Sequence, residues 1–198
     1  VGRMPGEFST ELQQIGVHIV EAFQAFSGEH GRELRLEVEP GTFLVANAGA
    51  LITSVIDVVD TGESGNHFIK VAGGMTELLR ISLYGAQHPI SMVPATGTDR
   101  ALREYLVAGH CCESGDVLPP EPDNPEGLKP RMLMEAAIGD AVVVGGSGAY
   151  CSGMPSKNYN SFPEAAEVLD ASAGHHHLIR RRQTLEQIVA NEVMPQIL

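Results

Sequence analysis

The chain has 198 residues, 43% of them hydrophobic, a formal net charge of −12 and three cysteines. The apolar share is enough to bury a core, no apolar run reaches the roughly 18 residues of a membrane span, and the acidic balance argues against non-specific nucleic-acid binding. Cys111, Cys112 and Cys151 are odd in number with two adjacent, which is no disulfide framework and points to a reducing cytoplasm.

The opening Val1-Gly-Arg-Met-Pro-Gly6 lacks the apolar stretch of a signal peptide and an initiator methionine, as expected of a chain that begins inside a longer protein. Residues 10–27 are predicted as a helix, because Leu12, Ile15, Ile19, Phe23 and Phe26 recur at helical spacing. Thr10 and Gln13 offer a capping box and Gly28 a stop. Residues 34–38, Leu-Arg-Leu-Glu-Val, alternate as a strand does. Helix, short loop and strand make one α/β unit, which alone has no way to bury both faces, so it is read as the remnant of something larger.

After Glu39-Pro40-Gly41 the pattern changes. Residues 51–59, 67–71, 89–93, 104–108 and 141–144 are rich in β-branched side chains and bounded by Gly, Pro or Asp, so each is predicted as a strand. Residues 178–182 are a further candidate strand. Residues 184–194 are predicted as a final helix with Leu185, Ile188 and Val189 inward. Residues 119–130 hold five prolines and read as a surface loop. The fold class is therefore mainly β, a barrel or sandwich with an α/β piece in front.

Five places could carry chemistry. Cys112-Glu113-Ser114-Gly115-Asp116 follows a strand directly, and a thiol beside a carboxylate at a strand end suits proton transfer; an inert buried cysteine is the plainer reading. Arg80 and Tyr84 lie four apart, so on a helix they share a face that could hold a carboxylate; a solvated Arg and a packed Tyr are the plainer reading. The Gly-rich turn 145–148 before Tyr150 could present N–H groups to a phosphate, or could be a tight loop. Glu39-Pro40-Gly41 is either an anion site at a helix start or a plain turn. His175-His176-His177 suggests a metal, but neighbours on a strand point to alternate faces, and no second cluster has ligand spacing.

Taken in order, Glu39-Pro-Gly, residues 44–49, 74–80 and 83–86, Cys112-Glu-Ser-Gly-Asp116, Gly148-Ala-Tyr150, residues 158–161, 167–169 and 178–184 are similar to the diaminopimelate decarboxylases, of the alanine-racemase-like decarboxylases. The resemblance runs from about Arg32 to the end of the chain. It implies an N-terminal (β/α)8 barrel that holds pyridoxal phosphate, with residues 1–48 its tail, and a C-terminal β domain over residues 49–198 with the terminal helix. It implies that Glu39, Pro40, Gly41 and Thr42 lie beside the cofactor phosphate and that Tyr150 touches cofactor and substrate. Arg80 and Tyr84 match binders of the substrate carboxylate. Cys112 matches a proton donor and Glu113 a substrate-binding carboxylate, both reaching into the partner subunit's site of a homodimer.

The implied reaction turns meso-diaminopimelate into L-lysine and carbon dioxide in lysine biosynthesis, on a small amino-acid substrate, with no metal, nucleic acid or membrane. Thr42 stands where many members have an Arg, Ala72 where an Asp is common and Ile81 where a Pro is common, so a related basic amino acid is the alternative substrate. The cofactor-anchoring lysine of the family matches none of Lys70, Lys129 and Lys157. The chain alone is therefore expected to be inactive, and a non-catalytic binding or regulatory homologue is the other reading.

Overall fold

The first strand, β1 (Leu51–Asp60), shows why a sheet forms: Thr53 and Val55 point inward while Ile52, Ser54 and Ile56 point out. A computed structural model describes residues 1–171 and 174–196. β1 turns through residues 61–66 into β2 (His67–Val71), its antiparallel neighbour. Thr61 closes the turn, donating its N–H to the Asn66 carbonyl at 3.1 Å. β3 (Ile90–Val93), β4 (Leu102–Ala108), β5 (Arg131–Met134) and β6 (Ala141–Val144) complete one six-stranded sheet in the order β3-β6-β1-β2-β4-β5. A register shift between Val55 and Asp57 bends β1, and the edge strands β3 and β5 approach each other, so the sheet curls towards a barrel. Val55, Ile69, Val71, Tyr105, Val142 and Val144 are buried inside it. Each such side chain is worth about 1.5–3 kcal/mol of burial.

β2 and β4 are parallel, Phe68 opposite Leu106 and Lys70 opposite Ala108. Parallel neighbours need a crossover, supplied here by helix α3 (Leu79–Tyr84) and by β3. Both strands therefore leave the sheet at the same end.

The predicted strands lie in the sheet, whereas the flanks differ from expectation. Helix α1 runs Leu12–His30; Glu11 precedes it without a side-chain cap, so the Thr10 capping box is not formed. Gly28 does not stop it; Gly31 does, in the left-handed conformation, with its N–H on the Ser27 carbonyl at 2.9 Å. Residues 34–38 form no strand: they are exposed and have no neighbour to pair with. Helix α2 (Gly41–Val45) follows. Residues 119 and 120 of the proline loop are buried, and mainly residues 121–130 face solvent.

Past the sheet, β7 (Glu167–Ala171) and β8 (His175–Arg180) form a separate hairpin, so the predicted strand 178–182 begins and ends earlier. Helix α4 spans only Leu185–Ile188, although its Thr184/Gln187 capping box is complete.

Candidate active site

The parallel pair sends two segments out of one sheet end. After β2, the Gly74 carbonyl accepts the N–H groups of Glu77 and Leu78, both at 2.9 Å, and turns the chain into α3. That short helix places the Arg80 guanidinium 6.0 Å from the Tyr84 ring centroid. Both side chains line a cavity of about 240 Å³. Buried Nε of Arg80 has no hydrogen-bond partner among the described residues, which leaves a donor for an incoming acceptor.

After β4, residues 109–116 make a closed loop. Gly109 donates to the Asp116 carbonyl at 2.8 Å and Leu118 to the Val107 carbonyl at 2.8 Å, while Asp116 donates to the Glu113 carbonyl at 3.0 Å. Cys112 and Glu113 lie exposed at its tip. Glu113 Oε1 accepts from Ser114 Oγ and the Gly115 N–H, both at 3.2 Å. The Asp116 side chain is buried beneath them: Oδ1 accepts the Met75 N–H at 2.7 Å and Oδ2 the Cys111 N–H at 2.9 Å.

A third segment lies beside the tip. Asn160 Nδ2 lies 3.7 Å from Cys112 Sγ. Partial desolvation, and then the nearby Cys112 and Glu113, push the Tyr159 phenol up. The sequence reading missed His110, which stacks on Phe162 and has Nε2 2.6 Å from Thr76 Oγ1. His110, Cys111 and Phe162 line a second cavity, of about 440 Å³, with Lys70, Ala72 and Arg182. A histidine directly before the thiol pair was the available signal.

The three sulfurs differ. Burial first, then Asp116, pushes the Cys111 thiol up to about 12. Burial also raises Cys151. Cys112 alone is exposed.

Tyr150 is positioned by a separate contact. A Cβ on Gly148 would stand 1.8 Å from the Val45 carbonyl oxygen, so only glycine fits there. Gly148 donates to the Ala46 carbonyl at 2.9 Å and Ser147 to the Gly49 carbonyl at 2.8 Å. This docks the end of α2 against the turn that carries Tyr150, whose φ is +58° and whose side chain is exposed. Glu39, Pro40 and Gly41 are exposed and Thr42 is half-buried. No hydrogen bond among the described residues joins this group to Cys112 or Arg80.

The side chains present fit one wall of a pyridoxal-phosphate and substrate site. Nothing lies within 4 Å of where a Cβ on Gly41 would be, which leaves room for a phosphate, and Arg80 keeps a free donor. The anchor is a different matter: Lys70 pairs with Asp57 at 3.5 Å and Lys157 with Glu164 at 2.8 Å, while Lys129 lies in the outer proline loop. Among the described residues no cluster of His, Cys, Asp or Glu could hold a metal ion, and no helix is long and apolar enough to cross a membrane.

Residues 27–148 match the family model described as "Pyridoxal-dependent decarboxylase, C-terminal sheet domain". The chain is 43% identical over 169 residues to a diaminopimelate decarboxylase of Escherichia coli strain K12, across 83% of this chain and 38% of the relative. It is 40% identical to that of Streptomyces coelicolor, across 84% of this chain and 37% of the relative. It thus spans well under half the length of these curated relatives. A crystal structure of diaminopimelate decarboxylase superposes with TM-score 0.87 at 37% identity, covering 96% of this chain and 45% of that one. The Helicobacter pylori enzyme in complex with L-lysine gives 0.76 at 31%, covering 94% and 41%.

Proposed function

The chain belongs to the pyridoxal-dependent decarboxylases through their C-terminal sheet domain, and from that premise we propose that the complete protein is a diaminopimelate decarboxylase. It would release carbon dioxide from meso-diaminopimelate to leave L-lysine. The observation that carries this reading is the parallel β2–β4 pair, which delivers Arg80 with Tyr84 and Cys112 with Glu113 to one end of the sheet.

Pyridoxal phosphate, when bound, supplies an electron sink for the bond broken as carbon dioxide leaves. The residues of this chain do the rest. Arg80 offers a fixed cationic fork for a substrate carboxylate, with the Tyr84 phenol beside it. Glu113 offers a negative charge to a substrate ammonium. Cys112 holds a proton at Sγ for the carbon that has lost its carboxyl group, and Asn160 steadies that sulfur. Tyr150, with residues 39–42, would form the wall that faces the cofactor. Cys112 and Glu113 are exposed, which suits service in the partner's site of a homodimer in the cytoplasm.

The test is a chimera in which this chain replaces the matching part of the Escherichia coli relative. Carbon dioxide release from meso-diaminopimelate, ornithine and arginine is compared. Selective turnover of diaminopimelate is expected. A folded, cofactor-loaded chimera that prefers ornithine or arginine overturns the substrate, and one inert to all three overturns the activity.

A further inference from the structure

Two adjacent sulfurs stand at the end of β4, and only one can serve as the proton donor. Nothing in the dipeptide Cys111-Cys112 says which. The choice is made four residues on.

We propose that Asp116 is a positioning residue that turns Cys112, and not Cys111, towards the site and locks that turn to the segment carrying Arg80. The proposal rests on the role assigned to Cys112 above. Asp116 is 3% exposed, and its carboxylate receives two backbone N–H groups, from Cys111 at 2.9 Å and from Met75 at 2.7 Å. The first bond fixes the backbone of Cys111 inward, over the carboxylate, so the next residue turns out. The second reaches the turn at Gly74 that starts α3. One side chain thus ties the turn that carries the thiol to the turn that starts the helix of the guanidinium.

Two glycines make room for it. A Cβ on Gly109 would stand 2.2 Å from Asp116 oxygens, and one on Gly74 would stand 2.3 Å from Oδ1. Neither glycine has positive φ, so the requirement is steric and not conformational. Any larger residue would push the carboxylate off its two N–H groups. The same carboxylate, added to burial, holds Cys111 in its protonated, unreactive form.

Asparagine at 116 keeps the volume and one acceptor oxygen but turns an amide N–H₂ towards the second N–H, so one of the two anchors is lost. The chain is treated with iodoacetamide, and alkylation of each cysteine is followed by mass spectrometry. In the unaltered chain Cys112 is expected to react first and Cys111 slowly. Equal rates there overturn the proposal, whether or not any variant folds. In Asp116→Asn the gap should narrow about ten-fold, the loss expected from one broken charge-assisted bond. An unchanged ratio in a folded Asp116→Asn, judged by circular dichroism, also overturns it.

In the chimera, Asp116→Asn should lower kcat about ten-fold with KM nearly unchanged, a split that general destabilisation would not give. If the chimera decarboxylates nothing but the cysteine ratio narrows as described, the positioning role stands and the functional reading falls.

Discussion

The His110 imidazole lies flat on the Phe162 ring, with centroids 3.6 Å apart and planes 4° from parallel. The stack joins the loop after β4 to the segment that carries Asn160. Phe162→Leu keeps an apolar side chain but removes the stack, and is expected to lower stability by about 1 kcal/mol in urea unfolding. It should also free Asn160 from Cys112, seen as faster alkylation of that thiol. Unaltered stability and unaltered labelling would mean the contact is incidental.

Cys112→Ala is expected to lower kcat of the chimera by about 10²–10⁴-fold, the range of a general acid, while substrate binding changes little. Cys111→Ala should be nearly silent, because its sulfur faces Asp116 and the cavity behind the loop. If Cys111→Ala does the greater damage, the sulfurs have been assigned in the wrong order.

Asp140 is buried, ion-paired with Arg100, and accepts the N–H groups of Ala95 and Ala137, each at 2.8 Å. Asp140→Ala leaves those donors and the Arg100 charge without their acceptor, and should cost about 3 kcal/mol. Burial pushes the Asp140 carboxyl up, but Arg100 and the two N–H groups outweigh it and hold the folded group below its ordinary value of about 3.9. A group depressed on folding contributes stability fully present above the unfolded value and lost as pH falls through the folded one. The gap in Tm between the unaltered chain and Asp140→Ala should therefore be constant near neutrality and shrink in acid. A gap that widens in acid would refute the ion-pair account.

Pyridoxal phosphate added to this chain alone is expected to give no one-to-one adduct that borohydride fixes on a single lysine. Lys70 and Lys157 are paired with carboxylates, and none of the three lysines adjoins Tyr150 or Gly41 in the chain. Mass spectrometry after reduction checks this, and stoichiometric labelling of one lysine would contradict it.

Leu12, Ile15, Val17 and Val20 of α1 are exposed, as are Val168, Leu169, Leu178 and Ile179 of the β7–β8 hairpin. Apolar faces of this kind drive association, and a partner that covers them stabilises by mass action. Sedimentation should show self-association that rises with concentration and yields to the co-expressed N-terminal remainder of the Escherichia coli relative. A heat-stable monomer indifferent to that remainder is the contrary result.

The sheet was readable because its strands are held by neighbours in the same chain: Thr53 and Val55 alternate with Ile52 and Ile56, and β2 and β6 lie on either side. The alternation of residues 34–38 carried the same signal without a strand beside it, and no strand formed. The helix predicted over residues 184–194 does start at Thr184, where the structure forms a capping box with Gln187, yet α4 ends at Ile188, since capping nucleates a turn and packing extends it. β5 escaped notice because four residues between Pro130 and the turn at 135–140 show too little pattern. Arg80 and Tyr84 were paired from spacing alone, and α3 brings them together. Asp116 could not be singled out, because its partner Met75 lies 41 residues away.

The parallel seam between β2 and β4 also sets an order in time. β1 and β2 meet across residues 61–66, whereas β2 and β4 meet only after residues 72–101 have been gathered between them. Closing the longer loop costs chain entropy before its contacts form, and such distant pairings pace folding. The thiol turn and the guanidinium helix come into register only when that seam zips shut. A nascent or partly denatured chain therefore does not hold Cys112 and Arg80 at a common sheet end until residues 72–101 have been gathered.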